Sequence, residues 1–139
     1  MRRSMTADRP QAEADVTEPT TGTRDATDHR EPPFNVEVHG STSGEPRVRV
    51  TGELDLSTAP RLRSVIFGPT LLAGSKVTLD LRAVSFMDSY ALGTLVAARR
   101  YLVSRGGSLS AACTEGPVAR VMRMTGMDAV INVTIEPRP

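Results

Sequence analysis

From Phe34 onward the apolar residues of this 139-residue chain keep changing period, and that change restricts the fold more than any single motif. "FNVEVH" (Phe34–His39) and "RVRVTG" (Arg47–Gly52) place apolar residues at every second position, as half-buried strands do. The turn-forming "GSTSGEP" between them makes the pair a hairpin. The period then lengthens: Leu62, Val65 and Ile66 share one helical face, Ser57 or Thr58 can cap that helix, and Pro60 suits its first turn. Pro69 predicts irregular chain after Phe67. "KVTLDL" is a third strand, apolar enough to be central, and a helix follows from Ser89 to about Ser104, stopped by Gly106 and Gly107. "SLSAAC" is a short strand, "GPVARVMRMTG" a short helix opened by Pro117, and "AVINVTIE" a last strand. The order β-β-α-β-α-β-α-β predicts a single small α/β domain over residues 34–136, with helices packed on a mixed sheet.

Residues 1–33 follow no such pattern. They contain no aromatic residue, Leu or Ile, and their five basic and seven acidic side chains give a net charge of −2. So little apolar surface does not offset the entropy of ordering, about 1–2 kcal/mol per residue for the backbone, which predicts a disordered N-terminal tail. The whole chain carries +1, without the basic excess of a nucleic-acid binder. No apolar run approaches the roughly 18 residues of a membrane span, and no secretory signal opens the chain, so the expected address is cytoplasmic. The lone Cys113 excludes an internal disulfide.

The segment "VSFMDSYALGTLVAARR" (Val84–Arg100) concentrates the functional signal. Asp88 falls at the N-cap of the second helix, and Ser89 is its first residue. A negative group added at Ser89 would meet the positive end of the helix dipole, worth roughly 0.3–1 kcal/mol, so the fold can accept phosphorylation there. At about 100° per residue, Leu92, Leu95, Val96, Leu102 and Val103 form the expected buried stripe, with Arg99 inside it and snorkelling outward. Tyr90, Thr94, Ala97 and Tyr101 fall opposite, facing water or a partner. "Asp-Ser" before an apolar helix is also an ordinary capping pair.

Taken in order, "TGELDLSTAPRLR", "VTLDLRAVSFMDSYALGTLV", "RGGSLS" and "PVARVMRMTGMDAVI" resemble the STAS domain, and more narrowly the small bacterial anti-sigma factor antagonists. The resemblance covers residues 34 to about 135. It implies that Ser89, the serine directly after the aspartate, is the phosphorylated residue. It further implies binding to an anti-sigma factor that is a GHKL-type serine kinase, release of a sigma factor in transcriptional regulation such as a stress response, and resetting by a phosphatase. ATP would belong to the partner, so no cofactor is implied. Asp88, Ser89, Tyr90, Thr94 and Tyr101 are the expected partner-binding residues. Tyr90 and Ala91 depart from the family's small hydroxyl residue and glycine. The alternative is a STAS scaffold or transporter-accessory module in which Ser89 only caps.

Catalysis is not expected. A nucleophilic Ser89 needs an oriented base, and the only histidines are His29 and His39. One Cys and two scattered His give no metal spacing. A phospho-aspartate receiver would use Asp80 at a strand end, but Lys76, the only lysine, lies too early in the chain. Met122, Met124 and Met127 are expected to fill core.

Overall fold

The computed structural model describes residues 33–139. The tail expected over residues 1–33 lies outside them, apart from Pro33. Nine elements follow in order: β1 (Asn35–His39), β2 (Arg47–Leu54), α1 (Ala59–Ile66), β3 (Lys76–Met87), α2 (Ser89–Ser104), β4 (Ser108–Thr114), α3 (Pro117–Met124), α4 (Met127–Val130) and β5 (Asn132–Glu136). The mixed α/β fold expected from the periodicity is the one observed, with the single turn α4 added.

The sheet runs β1-β2-β3-β4-β5 in spatial order. β1 and β2 form the antiparallel hairpin, with Val36 opposite Val50 and Val38 opposite Val48, and the other pairings are parallel. Every parallel crossover steps in the same direction, so right-handed connections put α1, α2 and α3 on one face. That face holds the core: Val48, Val50 and Leu54 from β2, Val77, Leu79 and Leu81 from β3, Leu62 and Ile66 from α1, and Leu95 and Leu102 from α2.

The third strand is twice as long as "KVTLDL" suggests. It spans 12 residues, and its register against β2 slips between Arg49 and Thr51 and again between Gly52 and Glu53. Each slip switches which residues face the core: Leu79 and Leu81 point in, then Val84, then Met87. A strand that changes parity twice does not show period two, so "RAVSFM" reads as loop. At the far end of α2, Gly106 adopts φ +83°. Gly107 donates to the Leu102 carbonyl at 2.8 Å and Gly106 to that of Val103 at 3.0 Å, the paired stop that "GG" predicts.

The polar face of the sheet holds one buried charge. Asp80 is only 4% exposed and lies in mid-strand, not at a strand end. Arg82 grips both its oxygens at 2.9 Å, and Arg47 approaches at 3.4 Å. Arg82 also reaches Glu136 at 3.4 Å, tying β3 to β5. This enclosure removes Asp80 as a receiver-type phosphoacceptor. Among the described residues no group of His, Cys, Asp and Glu is arranged to hold a metal ion.

The hydrogen bonds from Arg82 hold the Asp80 carboxyl down at about 2, below its ordinary 3.8. A depressed carboxyl stabilises the fold above its unfolded pKa and loses that contribution as pH falls through the folded one. Asp80→Asn should therefore cost about 1–2 kcal/mol at pH 7. Urea unfolding checks this, because the gap between variant and wild type should close between about pH 4 and pH 2. A gap that stays constant down to pH 2 would remove the charge from the explanation.

Candidate functional site

The site is assembled where β2 and β3 end side by side. Leu54 pairs with Met87, and the Asp88 amide donates to the Leu54 carbonyl at 3.3 Å. Beyond Leu54 the chain turns on Asp55. Its carboxylate accepts from the Ser57 amide at 2.9 Å, the Ser57 hydroxyl at 2.7 Å and the Thr58 amide at 3.2 Å. These bonds, led by that from the Ser57 hydroxyl, lower the Asp55 pKa. Thr58 occupies the N-cap position of α1 without capping it through its side chain. Its hydroxyl instead donates to the Glu53 carbonyl at 2.7 Å and accepts from the Asp55 amide at 2.9 Å. The expected Ser57 or Thr58 cap is thus replaced by an Asx turn, with the Asp55 carbonyl accepting from the Ala59 amide at 2.8 Å.

Asp88 does cap α2, and it does more. Its Oδ1 accepts from the Ala91 amide at 2.9 Å, while Oδ2 accepts from the Leu56 amide at 3.0 Å, 32 residues away in sequence. One carboxylate thereby fixes both the first turn of α2 and the β2–α1 turn. Ser89 follows at the first helical position, exposed, with no side-chain hydrogen bond among the described residues. An open depression of about 270 Å³ lies against it, lined by Arg63, Ser89, Tyr90, Gly93 and Thr94. A second, of about 400 Å³, continues along α1, lined by Pro60, Arg63, Ser64, Phe67 and Tyr90.

The expected partner-facing residues separate here. Asp88, Ser89 and Tyr90 come together, with Tyr90 44% exposed. Thr94 does not face water: it is 3% exposed and its hydroxyl donates to the Tyr90 carbonyl at 3.2 Å, so it forms the floor of the depression. Tyr101 lies about 16 Å further along α2. Its ring is half-buried, 4.5 Å from that of Phe67. The correction has one cause. The buried stripe of α2 is Ala91, Leu92, Thr94, Leu95, Ala98 and Leu102, rotated toward the small residues. Alanines let the helix sit close to the sheet, leaving Val103 exposed, Val96 half-buried and Arg99 fully outside. The same residue-by-residue outcome divides the methionines: Met122 and Met127 are buried, Met124 is exposed.

Two exposed apolar side chains at the ends of β2 and β3 escape a reading by periodicity. Leu56 is 64% exposed and Phe86 46%. Leu56 keeps the phase of Leu54, but the Asp55 turn rotates it outward; the "D-x-S-T" of that turn is the signal that identifies it. Phe86 is turned out by the second register slip of β3.

A profile described as STAS domain matches residues 34–138. The chain belongs to the STAS domain family. The anti-sigma-B factor antagonist of Bacillus subtilis is 30% identical over 101 residues, covering 73% of this chain and 91% of that protein. Its namesake in Listeria monocytogenes is 27% identical over 100 residues, covering 72% and 88%. The crystal structure of an anti-sigma factor antagonist from Mycobacterium paratuberculosis superposes with a TM-score of 0.60 at 29% identity, covering 73% of this chain and 84% of that one. Within this STAS domain the two departures from the family pattern differ in kind. Ala91 is fully buried under α2, whereas Tyr90 alters the surface. Among the described residues no helix is long and apolar enough to cross a membrane.

Because the two Asp88 oxygens serve different donors, Asp88→Asn keeps one acceptor and Asp88→Ala keeps none. Asp88→Ala should destabilise by about 1–2 kcal/mol, the usual loss of a cap plus a second bond. Asp88→Asn should cost less, and amide exchange should quicken at Leu56 while Ala91 stays protected. Unchanged exchange at Leu56 in both variants would show that the carboxylate does not bridge the two segments.

Proposed function

We propose that this STAS domain is an anti-sigma factor antagonist, which binds an anti-sigma factor through the surface around Ser89 and so frees a sigma factor for transcription. The observation that carries the reading is the exposed, unbonded hydroxyl of Ser89, set in a depression with the exposed Tyr90. A tyrosyl side chain beside a polar centre is what a docking hot spot uses. The similarity to the Bacillus and Listeria antagonists supports the same reading.

The partner is a serine kinase of the GHKL type, and Ser89 is its substrate. In the transfer the Ser89 oxygen attacks the γ-phosphorus of the partner's ATP. The bond to the β-phosphate bridging oxygen breaks, ADP leaves, and the hydroxyl proton passes to a base of the kinase. A phosphatase restores the hydroxyl by adding water across the new ester. The phosphate brings about −1.5 to −2 charges onto a surface that had none at that atom. A misplaced charge at a desolvated interface costs several kcal/mol, which is roughly a hundred- to thousandfold in affinity. Asp88 acts in this scheme by holding Leu56 and Ser89 in place. Tyr90 contacts the partner directly, and Thr94 supports its backbone from below. Tyr101, packed on Phe67, borders the far end of the same helix pair.

The experiment is calorimetric binding of the anti-sigma factor kinase to wild type, Ser89→Ala and Ser89→Asp. Ser89→Ala should bind like wild type and stay bound when ATP is added. Ser89→Asp, with one charge, should bind roughly ten- to a hundredfold more weakly. Equal affinity for all three, with no release by ATP, would eliminate the phosphoserine switch and leave a STAS scaffold in which Ser89 merely begins a helix.

A further inference from the structure

Arg63 stands out in the cleft between α1 and α2. It lines both depressions that meet at Tyr90, the one that contains Ser89 and the one that runs along α1. It is the only charged residue lining either. Among the described residues it makes no ion pair, and its guanidinium lies over the Phe67 ring at 4.7 Å. Leu62 and Ile66, its neighbours on α1, are buried and fix the helix, so the long Arg63 side chain is the part free to move.

We infer that Arg63 is the in-chain receptor for a phosphoryl group on Ser89. This rests on the reading of Ser89 as the phosphorylated residue and adds what the domain does with the charge once it arrives. The adjacent Asp88 carboxylate contributes a like charge, and both its oxygens are already engaged by Leu56 and Ala91. It therefore does not move away, and a dianion at Ser89 needs a cation from elsewhere. A planar guanidinium binds two phosphoryl oxygens side by side. Its hold on the half-buried Phe67 ring is weaker than such charge-assisted bonds, so Arg63 leaves Phe67 for the phosphate. The side chain then lies across the depression at Ser89 beside Tyr90 and uncovers the Phe67 ring in the groove along α1. Phosphorylation in this way both adds charge and reshapes the docking surface.

The test installs phosphoserine at position 89 during translation, so that no kinase is needed. The second ionisation of the phosphate, near pH 6 when unperturbed, is followed by ³¹P NMR. A paired guanidinium favours the dianion and lowers this pKa. Arg63→Gln should raise it by about 0.5–1 unit, and Arg63→Lys should retain most of the depression. Arg61→Gln, in an exposed residue stacked on Phe34, should leave it unchanged. A pKa identical in wild type and Arg63→Gln would overturn the pairing. The same phosphoprotein, if it bound the anti-sigma factor as tightly as unmodified protein, would instead overturn the switch, whatever the titration showed.

Discussion

The carboxylate of Asp88 is the constraint on which the exposed end of this domain depends. It closes the first turn of α2 with one oxygen and anchors the β2–α1 turn with the other. Its own amide continues the backbone bonding to Leu54. Three bonds from one residue thus join a strand end, a turn and a helix start. Ser89 follows at the first helical position, exposed beside this junction. Asp80 shows the contrasting use of the same side chain. Enclosed by Arg47 and Arg82 on the polar face of the sheet, it secures neighbouring strands and presents no charge outward. One aspartate organises a surface, the other a scaffold.

That division keeps the exposed end of the domain and its core separate. The apolar face of the sheet is filled by close-packed aliphatic side chains from every major helix. Such a core does not deform continuously in response to a surface charge. A charge added at Ser89 falls where it is solvated, near the positive end of a helix, so it acts on whatever approaches and leaves the core alone. Tyr90 adds a broad amphipathic side chain to that exposed end.

Much of this architecture is legible in the sequence. The hairpin, the three longer helices, the glycine stop after α2 and the cap at Asp88 each follow from local chemistry: alternation, helical spacing, a left-handed glycine, an acceptor before a helix. What resists reading are features set by contacts distant in the chain. The second half of β3 is hidden because two register slips break its alternation. The rotation of α2 is hidden because hydrophobicity alone assigns Val96 and Val103 to the core, whereas Ala91, Ala98 and Thr94 allow closer approach to the sheet. Thr94 consequently reads as surface and is buried. Leu56 and Arg63 read as unremarkable members of a turn and a helix. They gain meaning only when the end of β2 and the face of α1 are brought beside Ser89.

The central claim is that charge at Ser89 acts on the docking surface while the scaffold stays as it is. The most direct measurement is the ¹⁵N–¹H spectrum of the chain carrying phosphoserine at position 89, compared with the unmodified protein. The account predicts shifts confined to Leu56, to Arg63 and the Phe67 it leaves, and to the first turns of α2, with the amides of β2, β3 and β4 in place. Shifts spread through the sheet, or loss of the dispersed pattern, would contradict it.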